Sequence, residues 1–270
     1  MQLYTSIKLN RASDPPLFLL LHGFLGSSAD WAPVASYLQA QQGVITIDLP
    51  AHGFSPALSA EHSTFESVVE LLADTIRAKI SRPIAAVGYS LGGRLLMGVA
   101  HRYPELFSAL TIVSAFPGYQ SDAERAVRAA EDAKWSQRLC ELCPAEFLLL
   151  WYGQQTFASN HWQPDFKAQV LCSRAESLQR QQSLARMLEV TSASGMPSYW
   201  NLFHNAQCPI AYVAGERDHR CCQIAAKIKA GISRARTVII KEAGHLLIVE
   251  RPTELAALLL SILPLSESAR

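Results

Sequence analysis

Short, almost wholly apolar runs recur along the chain, several closing on turn residues: PLFLLLHG, VITIDLPAHG, IAAVGYS, LTIVSAFPG, IAYVAGERD and TVIIKEAGH. A strand with one wet face alternates apolar and polar residues, whereas runs this continuous fit strands buried on both faces of a mainly parallel sheet. Helix-like segments lie between them, at residues 65–80, 91–103, 222–232 and 252–263. Strands alternating with helices predict an α/β fold with a mostly parallel, doubly wound sheet and right-handed crossovers.

The alternation breaks between residues 118 and 205, where strand-like runs all but vanish. DAERAVRAAEDAKWSQRL, PAEFLLLWYGQQ and FKAQVLCSRAESLQRQQSLARMLEV read as successive helices, and the sheet pattern resumes at Cys208. The predicted organisation is a core of residues 1–117 and 206–270 with a helical lid, 118–205, inserted between two late strands. Open α/β sheets bind ligands beyond the carboxyl ends of their strands, so the lid is expected over that edge.

With 270 residues and 49% apolar content, the chain has ample material for a full core. A net charge of +1 without long single-sign runs argues against nucleic acid or an anionic membrane as a non-specific partner. Any charged ligand must then be recognised by a few local side chains. The N-terminal stretch lacks a secretory layout, and its apolar run, 17–21, is too short to span a bilayer. The six cysteines do not form a disulfide framework. Cys140 and Cys143 make a lone C-x-x-C, so reduced thiols in a cytoplasmic protein are expected. There is no dinucleotide fingerprint and no metal-ligand spacing, so no cofactor or metal is implied. Nothing in the pattern demands a second copy, and a monomer is compatible with it.

The chemistry concentrates at GYSLGG. Ser90 sits in G-x-S-x-G directly after a strand-like run and before a helix, the context of a strained turn that exposes one hydroxyl. Such a hydroxyl needs a base, and the base needs a carboxylate to fix its tautomer. His245 follows the last strand-like run and Asp218 ends IAYVAGERD, giving the order Ser…Asp…His; Glu216 is the alternative carboxylate. Backbone N–H groups of Leu91, at a helix N-terminus, and of Phe24, in the LHGFLG loop, are the candidate oxyanion donors. His22 and His52 are expected to shape loops rather than catalyse. Arg94 lies one helical turn beyond Ser90, where a cation opposes the helix dipole. Its presence there points to a bound carboxylate. The lid adds Arg125, Arg128 and Arg174, whose default role is helix-surface solubility.

These features together resemble the α/β-hydrolase superfamily. GYSLGGR, AERAVR, KWSQR, WYGQQTF, MLEVTS and GERD are further similar to the 2-succinyl-6-hydroxy-2,4-cyclohexadiene-1-carboxylate (SHCHC) synthases of menaquinone biosynthesis. The resemblance implies a lyase that eliminates pyruvate from 2-succinyl-5-enolpyruvyl-6-hydroxy-3-cyclohexene-1-carboxylate, a small substrate with three carboxylates. It further implies Ser90 as a proton-abstracting base within the triad, and Arg94, Arg128 and Arg174 as carboxylate ligands. Tyr89, Trp151 and Phe157 would line the pocket, although the two lid aromatics could equally be packing residues. SAFPG stands where the family pattern usually reads EGGHPG, and the segment after His245 is closer to a general hydrolase. A carboxylesterase or C–C-bond hydrolase using the same triad, and a hydrolase-fold binding module, are the competing readings.

Overall fold

The computed structural model describes residues 1–8, 17–39, 43–158, 162–231 and 234–262. Its sheet comprises β1 (Thr5–Lys8), β2 (Leu17–Leu21), β3 (Gly43–Ile47), β4 (Ile84–Tyr89), β5 (Phe107–Val113), β6 (Ile210–Gly215) and β7 (Arg236–Ile240). The seven strands lie in the order β1-β3-β2-β4-β5-β6-β7. Every neighbouring pair is parallel except β1 with β3. The predicted runs account for β2 to β7. The antiparallel β1 was not among them because it is a short, half-exposed edge strand without a buried face to enforce a pattern.

β3, β4 and β6 are buried along their whole length, as continuous apolar runs require. Helices Phe65–Arg77, Leu91–Arg102, His219–Gly231 and Pro252–Ile262 supply the covering layers. The third begins three residues earlier than its apolar pattern implies, so Arg220 falls in its first turn. Two predicted helix ends, Ile232 and Leu263, lie outside the described residues. The strand order reverses between β2 and β4, with β3 on one side and β5 on the other. A crevice opens at such a switch point because the loops on either side diverge. The loops that leave β2 and β4 carry Phe24 and Ser90.

Between β5 and β6 the chain forms a helical insertion built around Asp122–Glu141, Pro144–Tyr152, Pro164–Ser177 and Gln181–Val190. Trp135, Phe147 and Trp151 form its aromatic centre, with ring centroids 5.1–6.0 Å apart. On one side it is fastened to the core by Arg174–Asp30 at 2.6 Å, by Ser177 Oγ donating to the Leu25 carbonyl, and by Arg180 donating to the Ser55 carbonyl. Among the described residues no helix is long and apolar enough to cross a membrane.

Candidate active site

Ser90 caps the helix Leu91–Arg102 with φ 49°, in the left-handed region that an L-serine adopts only under constraint. Two glycines permit this. A Cβ on Gly88 would lie 2.6 Å from the Gly93 Cα, and one on Gly92 would lie 2.5 Å from the His22 carbonyl oxygen. The turn is pinned by the Ser90 N–H donating to Val113 and the Gly92 N–H donating to His22. The Ser90 hydroxyl stands 3.3 Å from Nε2 of His245, whose Nδ1 lies 2.6 Å from Oδ2 of Asp218. The carboxylate can only accept, so Nδ1 carries the proton and Nε2 presents a lone pair to the serine. Burial alone would raise the Asp218 carboxyl, but His245 and the Cys221 N–H at 3.1 Å outweigh it and hold it below its ordinary value. Glu216, the alternative acid, is exposed and accepts instead from the Glu242 N–H.

His22 and His52 hold the loop opposite. His22 Nε2 accepts from the Leu49 N–H at 2.9 Å and His52 Nε2 accepts from the Leu25 N–H at 3.0 Å. Their Nδ1 atoms donate to the carbonyls of Gly23 and Pro50. Both rings must therefore be neutral, and burial lowers both from their ordinary value. They are loop staples, as their sequence context implied. A Cβ on Gly23 would touch the Tyr89 ring and lie 3.4 Å from the Ser90 Cβ, so this loop is packed directly against the nucleophile turn.

An open cavity sits over the serine, lined by Phe24, Leu91, Ser114, Trp151, Phe157 and Leu188 among others. Phe157 meets His245 edge-on at 5.4 Å, and Trp151 meets Phe24 at 5.2 Å while stacking on Phe147. The two aromatics of the helical insertion thus both pack and line. Arg94 and Arg128 face the same cavity. Arg94 Nη1 donates to the Thr191 carbonyl at 2.5 Å, and among the described residues no carboxylate pairs with it. Burial first, and Arg128 next, lower its guanidinium to about 10. Arg128 is held in a fork by Asp132, at 2.9 and 2.7 Å.

The alpha/beta hydrolase fold family matches residues 16–252. The 2-succinyl-6-hydroxy-2,4-cyclohexadiene-1-carboxylate synthase of Yersinia enterocolitica is 34% identical over 94% of this chain and 88% of its own. That of Enterobacter sp. is 32% identical over 94% and 95%. This chain belongs to the SHCHC synthase family. Among solved structures, MenH from S. aureus superposes with a TM-score of 0.87 at 25% identity, covering 96% of this chain and 97% of that one. An esterase from Thermogutta terrifontis shares the fold, with a TM-score of 0.75 at 19% identity over 96% and 92%.

Two residues expected to face the substrate of an SHCHC synthase do not line this cavity. Tyr89 is buried beneath it, its ring 5.6 Å from that of His245, so it supports the base instead. Arg174 is buried behind the cavity lining, where it pairs with Asp30 at 2.6 Å and donates to the Tyr152 hydroxyl at 3.2 Å. The carboxylate beside this arginine is that of Asp30. Arg125 likewise ties the helical insertion together, through the carbonyls of Tyr119, Ser194 and Met196. Conversely, Ser114, Gln154, Cys221 and Arg220 line the cavity without having been singled out. Arg220 carries the same signal that exposed Arg94, a cation in the first turn of a helix that follows a catalytic residue. Asp218, Cys221 and His245 bring potential metal-ligand atoms within 4.8 Å of one another, and two of the three are the acid and base of the triad.

Proposed function

We infer that this SHCHC synthase eliminates pyruvate from 2-succinyl-5-enolpyruvyl-6-hydroxy-3-cyclohexene-1-carboxylate. The observation that carries this reading is Arg94, a largely buried cation beside Ser90 that forms no ion pair with a carboxylate among the described residues. Ser90, His245 and Asp218 act as a proton relay. His245 takes the Ser90 proton, and the serine oxygen removes the ring hydrogen next to the succinyl ketone. The electron pair shifts the ring double bond and expels the enolpyruvyl oxygen as pyruvate enolate, which is protonated to pyruvate. The N–H groups of Phe24 and Leu91 steady the oxyanion that the ketone becomes as the proton leaves. Arg94 and Arg128 hold carboxylates so that this hydrogen meets the serine. Trp151 and Phe157 exclude water above it.

Residues 118–205 serve as the lid of this cavity. A small anionic metabolite is the partner, and the six free cysteines suit a cytoplasmic enzyme. The test is pyruvate release from the enolpyruvyl substrate. Catalysed release that Ser90→Ala lowers by about 10³ or more supports the reading. No release above the spontaneous rate, with brisk p-nitrophenyl ester turnover, would make the protein a serine hydrolase instead.

A further inference from the structure

Arg220 is a cavity residue that the relay does not use. It follows Asp218 by two positions and lies in the first turn of the helix His219–Gly231, whose N-terminus already carries partial positive charge. Its side chain lines the catalytic cavity together with Ser90, Arg94 and Arg128. It also lines the depression outside, sharing that wall with Phe116 and Ile224, so it stands at the mouth. Among the described residues it pairs with no carboxylate. Instead its guanidinium carbon sits 4.6 Å from the centre of the Phe116 ring, and Nη2 donates to the Tyr119 hydroxyl at 3.2 Å. Phe116 and Tyr119 pack on each other at 4.5 Å, which gives the arginine an aromatic backing on one side and leaves most of its N–H donors unused. Its charge is felt inside, where it helps to lower Arg94.

The substrate read above bears three carboxylates, and Arg174 is committed to Asp30. Its succinyl group is the longest arm, and it leaves the ring from the carbon that loses its proton. With that carbon at Ser90, the succinyl carboxylate, carried on three further carbons, can extend from the serine toward the mouth.

We propose that Arg220 binds the succinyl carboxylate at the mouth of the cavity, as the third anion-binding cation alongside Arg94 and Arg128. The proposal rests on the lyase reading, and its test separates the two. Loss of water from the product would give 2-succinylbenzoate, a stable aromatic probe that keeps the succinyl arm and the ring carboxylate. Calorimetric affinities for 2-succinylbenzoate and for benzoate are compared in wild type, Arg220→Gln and Arg220→Lys, beside KM and kcat for pyruvate release.

Arg220→Gln is expected to weaken 2-succinylbenzoate and raise KM by about 10- to 100-fold, the loss of a charge-assisted hydrogen bond. Benzoate affinity, kcat and melting temperature stay near wild type, and Arg220→Lys recovers part of the loss. A wild type that does not bind 2-succinylbenzoate, an Arg220→Gln affinity within twofold of wild type, or equal losses for both probes overturns the assignment. Failure of pyruvate release together with the predicted affinity pattern overturns the reaction and leaves Arg220 as an anion-binding residue.

Discussion

Replacing Arg94 by Met should make the protein more stable and less active at once. Burial lowers the guanidinium to about 10, well below its ordinary value. At 1.36 kcal/mol for each tenfold in proton affinity, the charged form costs the empty fold about 3 kcal/mol. At neutral pH the folded and unfolded chains both hold the proton, so this cost is fully present. Met removes it but leaves the Thr191 carbonyl unpaired, a loss of about 1–2 kcal/mol. The net gain is about 1–2 kcal/mol, or roughly 2–6 °C in melting temperature for a chain of this size. Catalysis moves the other way. Losing one charge-assisted hydrogen bond to a substrate carboxylate costs about 1.5–3 kcal/mol, roughly 10- to 150-fold in kcat/KM. Differential scanning calorimetry reads the first effect, and pyruvate release coupled to NADH oxidation reads the second. A variant that melts lower than wild type, or that loses a neutral ester as severely as the anionic substrate, would refute the reasoning and make Arg94 a structural residue.

Arg174→Met strands the Asp30 carboxylate in the interior and should cost about 3–5 kcal/mol by urea denaturation, with part of the loss recovered when Asp30→Asn is added. Gly92→Ala places a methyl 2.5 Å from the His22 carbonyl oxygen and 2.6 Å from that of Leu21. Neither backbone group can yield, so about 3 kcal/mol or more of stability should be lost in the same measurement. His22 and His52 are neutral in the fold and titrate at lower pH there than in the unfolded chain, which therefore binds more protons below about pH 6.5. Stability should accordingly be full above that pH and fall as pH drops through 6 to 5, with each histidine adding up to about 1.4 kcal/mol per pH unit. Thermal melts of His52→Gln across pH 5–7 should show a shallower fall than wild type.

The parts of this fold legible from the chain are those where one local pattern suffices. A fully buried strand declares itself by its apolar run, and the elbow by two glycines whose Cβ atoms would have nowhere to go. Ser90, Asp218 and His245 could be placed because each ends or follows a strand and must therefore meet the others at one edge of the sheet. The surroundings of Arg174 were illegible for the opposite reason. Its partner Asp30 lies 144 residues away, and no local pattern reveals which of two carboxylates, protein or ligand, will take a lid arginine. Tyr89 lies behind the cavity lining because the residue before the nucleophile ends a strand buried along its length, and its ring packs 5.6 Å from that of His245. Arg220 was readable in principle by the dipole argument that singled out Arg94. The apolar pattern hid it by setting the helix start at Cys222 instead of His219.

The lid's fastenings are unevenly distributed. Arg174, Ser177 and Arg180 tie it to the core beside the loop that carries Phe24, through a buried ion pair and two hydrogen bonds to backbone carbonyls. On the far side, Phe116 and Arg220 border open depressions both within and without, and the ties are exposed ones, Arg220 Nη2 to the Tyr119 hydroxyl at 3.2 Å and Lys227 Nζ to Gln120 Oε1 at 2.8 Å. A cover held by a buried ion pair along one edge and by exposed hydrogen bonds along the other opens most readily at the second. Traffic should therefore pass the Arg220 side, and the oxyanion loop, anchored at the closed edge, can keep its shape through every turnover.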